Sequence, residues 1–292
     1  MKKAIAITLF LLSAITFKVS ATAQIPDLLI YKGDTLLLHT CPLSLYPNRN
    51  LINPHNLFGG KGCFFSACWR NYVATWELTN DKLFLVGIRN ACYPTDMKDI
   101  AGSYKAKVEK DSIGTEYADL QALFPEKYHN GKVEADWVTE DLTSPQGKLL
   151  FYVHNGFESA YEKEVVFKIA KGNLEGVIIY DNSKSKRSEY SRNAQKLREY
   201  IHSNINWDEL PEQGNSIKVT VSFSANENGI VDSVKIARGF SEIFDQEAVR
   251  VVKSIPEWDV YYQGGQHKRR PMSLQVIFDE KISGQDELRI EN

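Results

Sequence analysis

The chain has 292 residues with 35 basic and 37 acidic side chains, a formal charge of −2, and 43% hydrophobic residues. That balance excludes a disordered tail and a basic nucleic-acid binder, and the length favours two domains over one. The four cysteines, all between Cys41 and Cys92, are too few for a disulfide-dense miniprotein but enough to matter in an oxidising compartment.

Residues 1–23 have three parts: Lys2 and Lys3, an apolar run over 4–17, and small residues ending Ala21-Thr22-Ala23. This is the layout of a secretory signal peptide cut before Gln24, since the run is shorter than the roughly 20 residues of a membrane-spanning helix. An uncleaved anchor is the other reading, and only in that case would the chain touch the membrane. No cysteine precedes Cys41, so no lipid acceptor lies at the cut. Three of the 35 basic residues, Lys2, Lys3 and Lys18, fall in this leader, which leaves 32 against 37 acids, a charge of −5. Nucleic acid is therefore not an expected partner. Export to the periplasm or another extracytoplasmic part of the cell envelope is expected, and there the default for Cys41, Cys63, Cys68 and Cys92 is two disulfides of undetermined pairing. A zinc site on His39, Cys41, Cys63 and Cys68 is a weaker alternative, because the spacings do not follow paired knuckles, and free thiols or a redox role are the remaining one, with no C-x-x-C present.

From 24 to 180 the chain reads as short strands between turn residues. Segments 28–31 and 35–40 flank Lys32-Gly33-Asp34, and 72–78 and 82–88 flank Thr79-Asn80-Asp81, so both pairs predict β-hairpins. Later runs at 132–138, 149–154, 165–170 and 174–180 keep this rhythm, with turns expected at Ser144-Pro145-Gln146-Gly147 and Lys171-Gly172-Asn173. A helical patch over 116–123 interrupts them. A mostly-β domain, a small sandwich or barrel, is the expected result. Its long loop, 42–62, is rich in Asn, Pro and Gly and is either functional or tied by disulfides. The aromatic segment Cys63-Phe64-Phe65-Ser66-Ala67-Cys68-Trp69-Arg70-Asn71-Tyr72, with Trp76, suits a binding face for sugar or protein and equally a small core.

The polar stretch 181–189 contains no apolar residue and is expected to be a linker, assigned to 181–190. Beyond it Leu197, Tyr200, Ile201 and Ile205 have helical spacing, and Ile217, Val219, Val221 and Phe223 alternate as a strand. Asn226 to Gly229 turns the chain into Val231, Val234 and Ile236. A second amphipathic helix carries Phe244, Ala248, Val251 and Val252 and ends before Pro256, and Met272, Leu274, Val276 and Phe278 alternate in a last strand. The order is α-β-β-α-β over 191–292, so the whole is an α+β protein.

The marks Val219-Thr220-Val221-Ser222-Phe223, Asn228-Gly229-Ile230-Val231, Asp245-Gln246-Glu247-Ala248, Ile255-Pro256-Glu257-Trp258, Gly264-Gly265 and Leu274 to Phe278 resemble the C-terminal domain of the TonB family, over about 194–280. The resemblance implies a binding or adaptor protein of the cell envelope that contacts another envelope protein, or a peptide of an outer-membrane receptor, and is linked to TonB-dependent transmembrane transport. Such a domain binds by adding an extended peptide to a sheet edge. The last strand is the candidate edge, with Ser273, Gln275 and Ile277 opposite the core set. A transducer of this family needs a membrane anchor and a Pro-rich spacer. The ten prolines here are scattered and a β domain stands in the spacer's place, which points to a binding protein and not the transducer itself.

Lys268, Arg269 and Arg270, after His267, form a basic loop before the last strand, either a solvated tip or a site for anionic lipid, surface glycan or an acidic partner. Glu247 and Trp258 are expected to serve packing. No catalytic motif is found, the six histidines have no metal-ligand spacing, and the pairs Asp136/Glu140 and Glu158/Glu162 are what any acid-rich chain contains. Neither a catalytic residue, a metal site nor a cofactor is expected. A β-rich periplasmic enzyme or carbohydrate-binding protein, docked by its C-terminal domain, is the alternative function.

Overall fold

The computed structural model describes residues 23–63, 66–93, 114–212 and 214–279. The expected leader, except Ala23, and Phe64 and Phe65 of the aromatic segment lie outside them.

The N-terminal region begins with β1 (Asp27–Tyr31) and β2 (Asp34–Leu38). The long loop that follows is built from two 3-10 turns, Pro42–Leu45 and Arg49–Leu51, and the short helix α1 (Pro54–Phe58), which is capped by the Asn53 side chain accepting from Asn56 N–H at 3.0 Å. Next come β3 (Tyr72–Thr79), β4 (Lys82–Asn90), the single helical turn α2 (Leu120–Leu123), β5 (Tyr128–His129), β6 (Lys132–Glu134), β7 (Glu140–Phe151), β8 (Ala160–Ala170) and β9 (Asn173–Asp181). Four of the hairpins turn on one mould. Lys32-Gly33, Asn80-Asp81, Asn130-Gly131 and Lys171-Gly172 all have positive φ at both residues, the backbone twist that two-residue hairpins require. At Gly172 a Cβ would also meet Ala135 O at 2.8 Å, so glycine is needed there on both counts.

The strands pair in the order β2-β1-β3-β4-β9-β8-β7, with β6 lying against β4 and β5 against β6. Among the strands of the described residues, only β1 and β3 pair in parallel. The two ends of this order meet where His39 N–H donates to Thr143 O at 2.8 Å, so the sheet closes on itself as a barrel. Leu29, Leu38, Trp76, Leu83, Leu85, Ile88, Leu142 and Phe167 fill it. The Asp27 carboxylate is buried among them and accepts from Arg70 Nη2 (3.0 Å), Ala74 N–H (3.1 Å) and Trp76 Nε1–H (3.2 Å). Burial pushes the Asp27 carboxyl up from its ordinary value while these donors oppose it.

Two expectations change here. The helical patch over 116–123 shrinks to one turn, capped by Asp119. The turn expected at 144–147 does not form, because β7 runs through it: Ser144 pairs with Val165 and Pro145 with Glu164. The register then slips between Gln146 and Leu149, and Gly147 takes φ 79. A bulge in a long strand uses the same residue types as a turn, so composition alone does not separate them.

The C-terminal domain comprises α3 (Glu189–Arg192), α4 (Ala194–Ser203), β10 (Ile217–Ala225), β11 (Val231–Arg238), α5 (Glu242–Lys253), the small hairpin β12 (Tyr262–Gln263) and β13 (Gln266–His267), and β14 (Met272–Phe278). An antiparallel sheet β11-β10-β14 is covered on one face by α4 and α5. The apolar alternation of β10 and β14 meets Leu197, Phe244, Ala248, Val251 and Val252 in a second core.

The stretch 181–190 is not a free tether. Lys186 and Val260 exchange main-chain hydrogen bonds at 2.8 and 2.9 Å, Ser188 N–H donates to Asp259 Oδ1 at 2.7 Å, and Tyr262 N–H donates to Ser185 Oγ at 2.9 Å. From the same C-terminal segment, Gly264 N–H reaches Glu164 Oε2 (2.8 Å) and Gly265 N–H reaches buried Asn182 Oδ1 (2.9 Å). Tyr261 packs edge-on against Phe151 and donates to Glu158 O at 2.7 Å. Polar composition predicts a linker because it lacks apolar anchors. Here Asn182, Ser185, Lys186 and Ser188 have found partners on neighbouring segments instead.

Candidate partner-binding edge

The register of β14 on β10 places Val276 opposite Val219, Leu274 opposite Val221 and Phe278 opposite Ile217, all facing the helices. Ser273, Gln275 and Ile277 fall opposite Ser222, Thr220 and Lys218 and are half-buried on the other face. Among the described residues β14 pairs with β10 alone, so its second row of main-chain donors and acceptors lies at a sheet edge. The other edge is β11. It carries Ile236, and Phe240 just beyond it is 59% exposed while stacking edge-on against Phe244.

The basic loop is largely occupied with holding itself in place. Arg269 grips Asp232 through two parallel bonds, Nη2 to Oδ2 at 2.8 Å, and the guanidinium draws the Asp232 carboxyl below its ordinary range. Arg270 lies 5.0 Å over the Tyr261 ring. Lys268 N–H donates to Tyr261 O at 2.8 Å, and its exposed amine reaches Gln266 at 3.3 Å. The loop thus links the small hairpin to the sheet edge.

Glu247, expected as a packing residue, has a polar task. It is buried at 7% exposure, accepts Asn206 N–H at 2.7 Å, and is paired with Arg250, which also reaches Asn204 O. Burial pushes its carboxyl up, but Arg250 and the Asn206 N–H outweigh that and the net direction is down. The pair fastens the end of α4 to α5. Sequence offered one sign of this, the i,i+3 spacing of Glu247 and Arg250.

Of the four cysteines, Cys63 and Cys92 are bonded, with Cα atoms 5.4 Å apart. Cys41 and Cys68 are free, which corrects the expectation of two disulfides. Cys68 is fully buried and donates to Tyr72 O at 3.3 Å. Burial pushes the Cys41 thiol up to about 12 and the Cys68 thiol upward as well. The aromatic segment divides: Tyr72 and Trp76 are core, whereas Trp69 is 67% exposed.

Asp136 is paired with Lys127, Glu162 accepts Lys148 N–H, and Glu158 accepts from Asn155, so each has a local structural partner. Among the described residues no three His, Cys, Asp or Glu side chains converge as a metal site. In the same set no helix is long and apolar enough to cross a membrane.

A three-stranded antiparallel sheet backed by two helices defines a small α+β domain. Residues 207–279 match the family described as the Gram-negative bacterial TonB protein C-terminal, so this part of the chain is a TonB C-terminal domain. The match covers about a quarter of the chain and starts at Trp207, after α4. No curated protein and no solved structure matches.

Proposed function

We propose that this is an exported envelope protein that binds an extended segment of another envelope protein, such as an outer-membrane receptor, by strand addition along β14, in connection with TonB-dependent transport. One observation carries the reading: β14 ends the sheet, with hydrogen-bonding capacity directed outward and a half-buried row of Ser273, Gln275 and Ile277 beside it. Main-chain bonds would supply affinity, and this row would select among side chains. The chain works here as a binding protein, with the barrel fixed beside the edge by the hydrogen bonds between 182–188 and 259–265.

The test is hydrogen exchange on the protein from Gln24 onward, with and without synthetic peptides from receptor N-terminal segments. Binding slows exchange at alternate amides across Met272–Phe278, and Ile277→Glu weakens it about tenfold, near 1.4 kcal/mol. Protection confined to other strands, or affinity indifferent to Ile277, refutes the assignment.

A further inference from the structure

A second sheet edge lies open in the barrel. The joint between β4 and β9 is one residue pair long, Lys82 with Asn173, supported by Leu83 N–H to Gly172 O and Leu174 N–H to Asp81 O, each 2.8 Å. Beyond this point β4 turns to β6, through Phe84 with Glu134 and Leu85 with Val133. β9 continues with β8 on one side and no strand on the other among the described residues.

Hydrogen-bond parity shows which residues face that gap. Asn182 N–H donates to Glu162 O at 2.9 Å, so this pair is a hydrogen-bonded one, and the register from Lys163 with Asp181 to Lys168 with Gly176 is unbroken. In an antiparallel ladder such pairs alternate. Tyr180 and Ile178 therefore spend their main-chain groups on β8, while Asp181, Ile179 and Val177 direct theirs outward. On these same outward residues the side chains are exposed: Val177 is 41% and Ile179 65% exposed. Natural edges are shielded by charged side chains, Lys above all, by Pro or by a bulge. From Asn173 to Asp181 the strand has no basic residue and no proline, its two acids, Glu175 and Asp181, flank the apolar run 177–179 without interrupting it, and its one irregularity sits at the far end, opposite Lys168 and Ile169.

We propose that β9 is a self-association edge that pairs antiparallel with β9 of a second copy of this chain, centred on Ile179. That centre sets Ile179 against its twin and Val177 against Asp181 of the copy, clear of the residues already held by β4. Each of the three outward residues then exchanges both main-chain hydrogen bonds with the copy. The exposed Ile179 and Val177 side chains of both chains share one face and cover each other diagonally. No like charges meet: the two Asp181 carboxylates stand at opposite ends of the joint, each beside Lys163 of its own chain. A joint of this size is smaller than a standard interface, so the dimer is weak and concentration-dependent.

Sedimentation of the protein from Gln24 onward, between about 10 µM and about 500 µM, tests this, since small interfaces assemble in that range. The weight-average mass rises from monomer toward dimer, Ile179→Lys holds it at monomer, and Gln275→Lys on β14 leaves the rise intact. In the unaltered protein the amides of Val177, Ile179 and Asp181 also gain exchange protection with concentration, a readout that needs no variant to fold. A monomer throughout the range, or a dimer that Ile179→Lys does not alter, overturns the proposal. Because β14 takes no part, neither result bears on peptide binding there.

Discussion

His39 shows how one side chain ties closure of the barrel to pH. Its main-chain N–H makes the bond to Thr143 O that joins β2 to β7, and beside that bond its ring stacks on Phe157 at 5.0 Å and meets Tyr161 edge-on at 5.7 Å. Burial lowers its pKa from 6.5 to about 4. A proton is thus taken up more readily by the unfolded chain, so the stabilisation is complete above pH 6.5 and is lost as pH falls through that window to about 4. Allowing for the ring's partial exposure, the loss is on the order of 2 kcal/mol. Urea midpoints measured across that range should fall for the natural protein and stay nearly level for His39→Phe; equal slopes would show that another group carries the effect. None of this was legible in the sequence, where His39 is one of six scattered histidines and was weighed only as a zinc ligand.

At the level of elements, strands and helices with their own strong periodicity came through intact. β10 and β14 alternate strictly, and α5 keeps Phe244, Ala248, Val251 and Val252 on one stripe, so local pattern and tertiary burial agree. Elements whose residues are polar did not. The stretch 182–188 and the hairpin β12–β13 are ordered by partners far away in sequence, and β7 crosses a Ser-Pro-Gln-Gly segment that reads as a turn. Asp259 is the hinge of that seam, since its Oδ1 accepts from both Ser188 N–H and Ser191 Oγ. Asp259→Ala leaves the nearly fully buried Ser188 without its acceptor. The expected cost is about 1–3 kcal/mol, the usual penalty for an unsatisfied buried donor. Limited proteolysis should then cut within 181–190, which the natural protein resists. Equal cleavage rates in the two proteins would count against the seam.

Across the whole molecule, the barrel core and the C-terminal core are joined by a small third cluster of Phe151, Ala160 and Tyr261. Tyr261 combines ring packing, a hydrogen bond to Glu158 O, and Arg270 stacked on its other side. Tyr261→Ala removes all three, at about 3–5 kcal/mol by analogy with other large-to-small aromatic changes. Denaturation followed by probes in each core should show one shared transition in the natural protein and two in the variant. Separate transitions in the natural protein would mean that the bodies are not coupled. If strand addition occurs at β14 as proposed, this coupling fixes where the barrel stands relative to that edge.

The sequence by itself determined the α+β class, the hairpins around 32–33 and 80–81, the turn at 171–172, and the TonB-like character of the C-terminal domain, whereas the hairpin at 130–131 and the continuation of β7 through 144–147 came only from the structure. The features legible in the sequence are written in nearest-neighbour terms: alternation, turn residues with positive φ, and the spacing of apolar stripes. Tertiary structure alone decided that 181–190 is a bonded seam, that Cys63 pairs with Cys92 while Cys41 and Cys68 stay thiols, and that β9 ends in an open edge among the described residues. Those outcomes depend on which segments distant in sequence meet in space, and a polar side chain or an unpaired strand edge acquires its meaning only from what stands, or does not stand, beside it.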